Sequence, residues 1–300
     1  MQSIKLDVQV EWKFINDKFL SKKVGKMPEI EPKDKSLKEL SGIHLWHAPM
    51  SSCSQRVRLV LSETQKTFIS HLVNLEKDEH SSASYQNIHP NGLVPALVND
   101  GRLFIESVDI IQYLSRENVN FFDDSYKDLL RDADASQMDL KLLTFEFLFR
   151  GAPPPSKEVF EKFQKSHNND WLKKFRIDFS KGFERQRIKD AVIRTAKAFN
   201  KLEMCLSDGR MYLSGNNFSL SDIAWIPNFH RFNLMKWSFE ETPNLKRWFA
   251  SVSQRLSYNE AILEWQPKEL IGMLDEYTMN RISSGTNITS FQRDIEDKKK

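Results

Sequence analysis

The sequence predicts a mixed α/β domain followed by an all-helical domain. Two patterns carry that expectation. Between Ile43 and Arg116, short runs of strand type alternate with helical segments and close in a hairpin. After Asn118 the strand signals stop, and apolar side chains recur at helical spacing. An alternating start that ends in a hairpin implies a mixed sheet covered by helices.

The first candidate strand comes earlier. Ile4, Leu6, Val8, Val10, Trp12 and Phe14 fall on one side of residues 4–14, with polar residues between them. That is the two-residue period of a half-buried strand. A polar connector with Pro28, Pro32 and many lysines runs on to Glu39. Ile43 to His47 reads as a strand, Ala48-Pro49-Met50 as a turn, and Val57, Leu59, Val60 and Leu61 begin a helix. Phe68 to Leu75 is a second strand, Glu79 to Gln86 a weak helix, and Val94 to Val98 a third strand. Asn99-Asp100-Gly101 has hairpin chemistry, since such residues tolerate the positive φ of a tight turn. Arg102 to Ile105 returns as a strand, and Glu106 to Arg116 is helical. Residues 126–150, 157–206, 219–237 and 244–264 read as helices, broken by Gly151-Ala152-Pro153-Pro154-Pro155 and by Asp208-Gly209. The expected organisation is an extension over 1–42, an α/β domain over 43–118 and a linker over 119–125. A helical domain over 126–270 and a loose polar tail over 271–300 complete it.

Composition narrows the function classes. The 44 basic residues nearly balance the 41 acidic ones, which gives no broad field for nucleic acid. No run of about 18 apolar residues is present to span a membrane. Asp7 and Glu11 interrupt the N-terminal segment, which lacks the apolar core of a signal peptide. Two cysteines, Cys53 and Cys205, cannot make a disulfide scaffold. A cytoplasmic, soluble protein is expected. The seven histidines show no paired Cys/His spacing, so no metal is expected, and no phosphate-cradling glycine motif appears.

Three places carry chemistry. Pro95 opens a strand without an N–H for the ladder, so Val94-Pro95 is either a plain strand-edge turn or a place where backbone faces a ligand. Glu106-Ser107 opens a helix, as a simple cap or as an anion site. Ser51, Ser52 and Cys53 lie between the first strand and its helix, where a helix N-terminus can stabilise a thiolate. Cys53 is alternatively a small hydrophobe facing the core.

The motifs LWHAPMSSCSQRVRLVL and HPNGLVPALVNDGRLFIESVDIIQYL within residues 43–118 resemble the thioredoxin-like, glutathione-binding domain of the soluble glutathione transferases. GNNFSLSDIAW and PNLKRWF resemble that family's helical domain. Ser51-Ser52-Cys53-Ser54 followed by Arg56-Val57-Arg58 is similar to the zeta class, which includes maleylacetoacetate isomerases, and to glutathione-dependent reductive dehalogenases. Gln55 stands where zeta members often carry Trp, and Leu93 where many members place Gln or Lys.

The resemblance implies glutathione as co-substrate. It implies a cis Val94-Pro95 bond, with the Val94 backbone pairing to the ligand as a strand would. Glu106 would take the ligand's ammonium, and Ser107 with the helix amides its carboxylate. By zeta register Ser51 donates to the sulfur; other classes shift that role by one, to Ser52. Cys53 would allow thiol–disulfide exchange. The implied activity is transfer of glutathione to a small electrophile. Rivals are isomerisation or reductive dehalogenation through Cys53, and a non-catalytic scaffold on the same fold. A homodimer is implied, with no nucleic-acid or membrane partner.

The remaining expectations are structural. Arg56 and Arg58 hold either an anionic substrate or an interdomain ion pair. Ser219-Leu220-Ser221-Asp222 is a capping box, and Pro227 falls inside its helix. Phe145, Phe147, Phe149, Arg150, His230 and Arg231 are candidate acceptor-pocket residues, or core. The Gly151–Pro155 break and the segment after it are a candidate lid.

Overall fold

A four-stranded mixed sheet organises the first half of the chain. The computed structural model describes residues 29–118, 121 and 126–296; the strand expected over 4–14 lies outside them. The strands are β1 (Ile43–His47), β2 (Ile69–Leu72), β3 (Ala96–Asn99) and β4 (Arg102–Phe104), in the order β2-β1-β3-β4. β1 and β2 are parallel, and the other two pairings are antiparallel. A parallel pair needs a crossover, which α1 (Ser52–Glu63) supplies. The helices α2 (Ala83–Ile88) and α3 (Ser107–Ser115) flank the later strands. This is the thioredoxin-like arrangement. Asp100 and Gly101 turn the β3–β4 hairpin at φ 47° and 76°, and the Asp100 carboxylate accepts Gly42 N–H at 2.8 Å.

Every residue of α1 from Ser54 to Leu61 is buried. A surface helix would show a polar face; α1 has none because the sheet covers one side and the helical domain the other. The segment ahead of β1 is clipped to the β4 edge rather than serving as a mere connector. Ile30 N–H donates to Leu103 O at 2.9 Å, and Leu37 is buried against Ala96, Val98 and Leu103.

The helical domain contains α4 (Tyr126–Ala135) and α5 (Gln137–Thr144), which runs into a π turn over Phe145–Phe149. Next come α6 (Lys157–Ser166), α7 (Asp170–Lys181), α8 (Arg185–Cys205), α9 (Leu220–Leu234), α10 (Pro243–Val252), α11 (Leu256–Ala261), α12 (Lys268–Ser283) and α13 (Ile288–Glu296). Two expectations are corrected. The single helix expected over 157–206 is three: the Asn169 side chain caps α7 by accepting Leu172 N–H at 3.1 Å, and Gly182, at φ 89°, ends it. The loose tail expected over 271–300 is instead helical through Glu296. Ile288 and Phe291 are buried, and Phe291 packs edge-on against Phe147 at 5.6 Å. A few buried side chains among many polar residues hold it, too sparse a signal for composition to reveal. The capping box forms: Asp222 accepts from Ser219 N–H at 2.9 Å, and its other oxygen takes Leu213 N–H and Trp248 Nε1–H. Among the described residues, no helix is long and apolar enough to cross a membrane.

Candidate functional site

Register gathers the predicted residues. Trp46 faces Ala96 across β1–β3, and Leu97 faces Phe104 across β3–β4. Continuing both ladders by one or two residues puts the β1–α1 turn, Val94-Pro95 and Glu106-Ser107 at the same end of the sheet. The Val94–Pro95 bond is cis. Leu93 O accepts the Tyr85 hydroxyl at 2.6 Å, and Gly92 O pairs with His167 Nε2 at 3.2 Å, so the segment leading into the turn is held at two points. Among the described residues Val94 makes no backbone hydrogen bond outside the ladder, which leaves its N–H and C=O suited to a strand-like ligand.

The three candidate donors differ in what they touch. Ser51 is the N-cap of α1, its oxygen accepting Ser54 N–H at 3.2 Å. Ser52 donates its proton to Gln137 Oε1 at 2.7 Å, and the Cys53 thiol lies 3.5 Å from the same oxygen. Burial pushes the Cys53 thiol above its usual range, an effect that neighbouring Arg56 and a Ser107 hydrogen bond offset only in part. Cys53 therefore rests as a thiol, between the two readings its sequence position allowed. Glu106 is the half-buried N-cap of α3. The buried Ser107 accepts from Arg56 Nη1 at 3.3 Å.

Arg56 and Arg58 are interdomain fasteners. Arg56, fully buried, donates to Ala224 O at 2.9 Å and Ala133 O at 2.8 Å, and lies 3.6 Å from the Asp134 carboxylate. Arg58 donates to Ala261 O at 2.7 Å and to Pro49 O at 2.9 Å. Arg231 donates to Met50 O, which anchors the β1–α1 turn from the helical side. His230 is buried between Tyr258 and Gln266. Phe145 and Phe149 belong to an aromatic cluster with Phe175 and Phe179, and Phe147 is core. Arg150 is occupied by Glu146 at 3.1 Å. These six residues line the core or the domain seam.

A cavity of about 1150 Å³ lies elsewhere, where the C-terminal end of α1 meets α11, and Ser51, Val94 and Glu106 do not line it. Two of its charges are spent on each other, with Arg255 gripping Glu63 through two bonds of 2.7 Å. The converging residues, not this groove, define the candidate site.

Sequence inspection missed Gln137, which joins α1 to the helical domain and passes the contact on to Asn228 Oδ1 at 2.6 Å. It also missed Lys141, one turn further along α5. The available signal was their i, i+4 spacing on one helix face.

A thioredoxin-like sheet with a helical domain closing over the β1–α1 turn defines the class of protein. Two segments match glutathione transferase family models: residues 50–117 match "Glutathione S-transferase, N-terminal domain" and residues 185–251 match "Glutathione S-transferase, C-terminal domain". Among curated proteins it is similar to glutathione S-transferase TCHQD of Arabidopsis thaliana, 25% identical over 73% of this chain and 89% of that protein. It is likewise similar to glutathione S-transferase Z2 of the same plant, 27% identical over 72% and 89%. Among solved structures, beta-etherase LigF from Sphingobium sp. strain SYK-6 superposes with a TM-score of 0.66 at 21% identity, covering 75% of this chain and 99% of its own. The Bombyx mori transferase BmGSTD1 gives 0.56 at 18% identity over 79% and 98%. At such identity these structures speak for the fold.

Proposed function

We propose that this protein transfers glutathione to a small electrophile, with Ser51 as the group that stabilises the thiolate. One observation carries the choice of Ser51 over Ser52: the Ser52 proton is committed to Gln137. The Ser51 oxygen accepts from Ser54 N–H, which leaves the Ser51 proton to donate outward at the α1 N-terminus.

The residues present fit a glutathione-shaped ligand. Glutathione, when bound, supplies the thiol that is joined to the electrophile. The Val94 N–H and C=O would grip its backbone, and Glu106 with the first amides of α3 would hold its γ-glutamyl end. Ser51 would keep the sulfur deprotonated near neutral pH by donating to it. The neutral Cys53 thiol favours this over exchange chemistry through Cys53. A cytoplasmic homodimer belongs to the same reading; sedimentation equilibrium at twice the 35.2 kDa chain mass would support the dimer.

The test is calorimetric titration of glutathione into wild type and Glu106→Ala, followed by conjugation rates for Ser51→Ala and Ser52→Ala. Binding at millimolar or better, weakened in Glu106→Ala, is expected. Ser51→Ala should lose roughly 10²-fold in kcat/KM, the scale of one positioned hydrogen bond to a developing charge. Ser52→Ala should stay within about threefold of wild type. A loss confined to Ser52→Ala would move the role to Ser52. No binding by wild type would leave a scaffold on this fold.

A further inference from the structure

Lys141 stands out among the charged groups near the α1 N-terminus. It follows Gln137 by one turn of α5 and so shares its face, and Gln137 is the residue that touches Ser52 and Cys53. Its Nζ lies 5.5 Å over the ring of Trp171 and 5.7 Å over that of Phe175, both on α7. Those two rings stack at 5.1 Å with their planes 23° apart. Among the described residues, no carboxylate lies within ion-pairing distance of Lys141 and no hydrogen bond holds it. Arg176, the other cation on that side, is already paired with Asp78 at 2.7 Å. A half-buried ammonium without a counter-ion is costly, and burial draws its pKa down to about 8. An arriving anion would remove that cost. The aromatic wall beside the ammonium suits a flat ring.

We infer that Lys141 and Trp171, whose ring is backed by the buried Phe175, form the acceptor-substrate site and select an aromatic molecule carrying a carboxylate or phenolate. The inference rests on the transfer reading for its chemistry, though the anion contact itself does not. Lys141 is a specificity-determining residue in it: the ammonium pairs the anion, the indole stacks on the ring, and the electrophilic carbon is turned toward the α1 N-terminus.

A matched pair of electrophiles tests this: 4-chloro-3,5-dinitrobenzoate and 1-chloro-2,6-dinitrobenzene, which differ only in the carboxylate. In both, the thiolate sulfur bonds to the ring carbon, the C–Cl bond breaks, and chloride leaves with the electron pair. Wild type should favour the benzoate in kcat/KM by about tenfold, the scale of one charge-assisted contact. Lys141→Met should abolish that preference, chiefly through a raised KM for the benzoate. Lys141→Arg should restore most of it. A second arm needs no glutathione: calorimetric titration of 3,5-dinitrobenzoate and of 1,3-dinitrobenzene. Lys141-dependent binding of the benzoate alone supports the site even if conjugation proves absent, in which case only the transfer reading falls. Equal loss of both ligands in Lys141→Met, unchanged binding of both, or no binding of either by wild type would overturn the site.

Discussion

The Arg56 guanidinium, on the first helix of the thioredoxin-like domain, donates to the Ala224 carbonyl of the helical domain at 2.9 Å. Ala224 sits two residues past the capping box that starts α9. The contact ties the helix carrying the candidate thiolate site to the central helix of the second domain. The same guanidinium reaches Ser107 at the start of α3. One buried side chain thus fixes the relative placement of three elements around the candidate site.

Arg56→Met should destabilise the protein by roughly 3–5 kcal/mol, the scale seen when one member of a buried charged contact is removed. The methionine fills much of the volume but leaves Ala224 O, Ala133 O and Asp134 without their donor. Urea denaturation measures it. A loss under about 1 kcal/mol would mean that the carbonyls find water instead.

Gln55 offers the opposite experiment. It is fully buried, and both side-chain amide atoms lack a partner among the described residues. Gln55→Met has similar volume and no polar group to strand, so it should stabilise by about 1–2 kcal/mol. The denaturation midpoint should rise with an unchanged slope.

Gly92 precedes the Leu93-Val94-Pro95 turn at φ 55°, and an added Cβ would lie 2.6 Å from His80 O and 2.8 Å from His167 Nε2. The first of these is backbone and cannot swing aside. Gly92→Ala should therefore cost roughly 2–4 kcal/mol, combining left-handed backbone strain with overpacking. The same variant should weaken glutathione binding, because the His167 contact to Gly92 O helps hold the loop. Wild-type stability in this variant would count against the close approach.

Acid should unfold the protein through its buried histidines. Burial holds His47, His80 and His230 down to about 3 and His89 to about 4, against the usual 6.5. The unfolded chain binds protons at these groups below about pH 6.5 while the folded chain does not. Their contribution is complete above that pH and is lost as the pH falls toward the folded values, at up to about 1.4 kcal/mol per unit for each group. Circular dichroism should show cooperative unfolding between about pH 6 and 4, with a shallower limb in His80→Phe. Constant stability from pH 7 to 4 would rule the mechanism out.

The strand–helix order, the Asp100-Gly101 turn and the Ser219–Asp222 cap were legible in the sequence because each depends on residues within a few positions of one another. Periodicity also located α9 to within a few residues and the starts of α4 and α10 to within one, but it ran past the ends of both. It overran the breaks at Asn169 and Gly182, since the apolar spacing of α6, α7 and α8 continues through them. It passed over α12 and α13 because only a few of their side chains are buried among exposed polar ones.

For the site, the sequence by itself determined which residue types stand at the β1–α1 turn, beside Pro95 and at the head of α3, and the local chemistry each can perform. Tertiary structure decided what each of them is free to do. Ser52 is occupied by Gln137 from 85 positions away, Arg56 is drawn into the domain seam rather than toward a substrate, and Lys141 is set against two rings on a different helix. Short-range backbone preferences write the elements into neighbouring residues. The proton held by a hydroxyl, or the charge left on an ammonium, depends on partners that only packing brings within 3 to 6 Å.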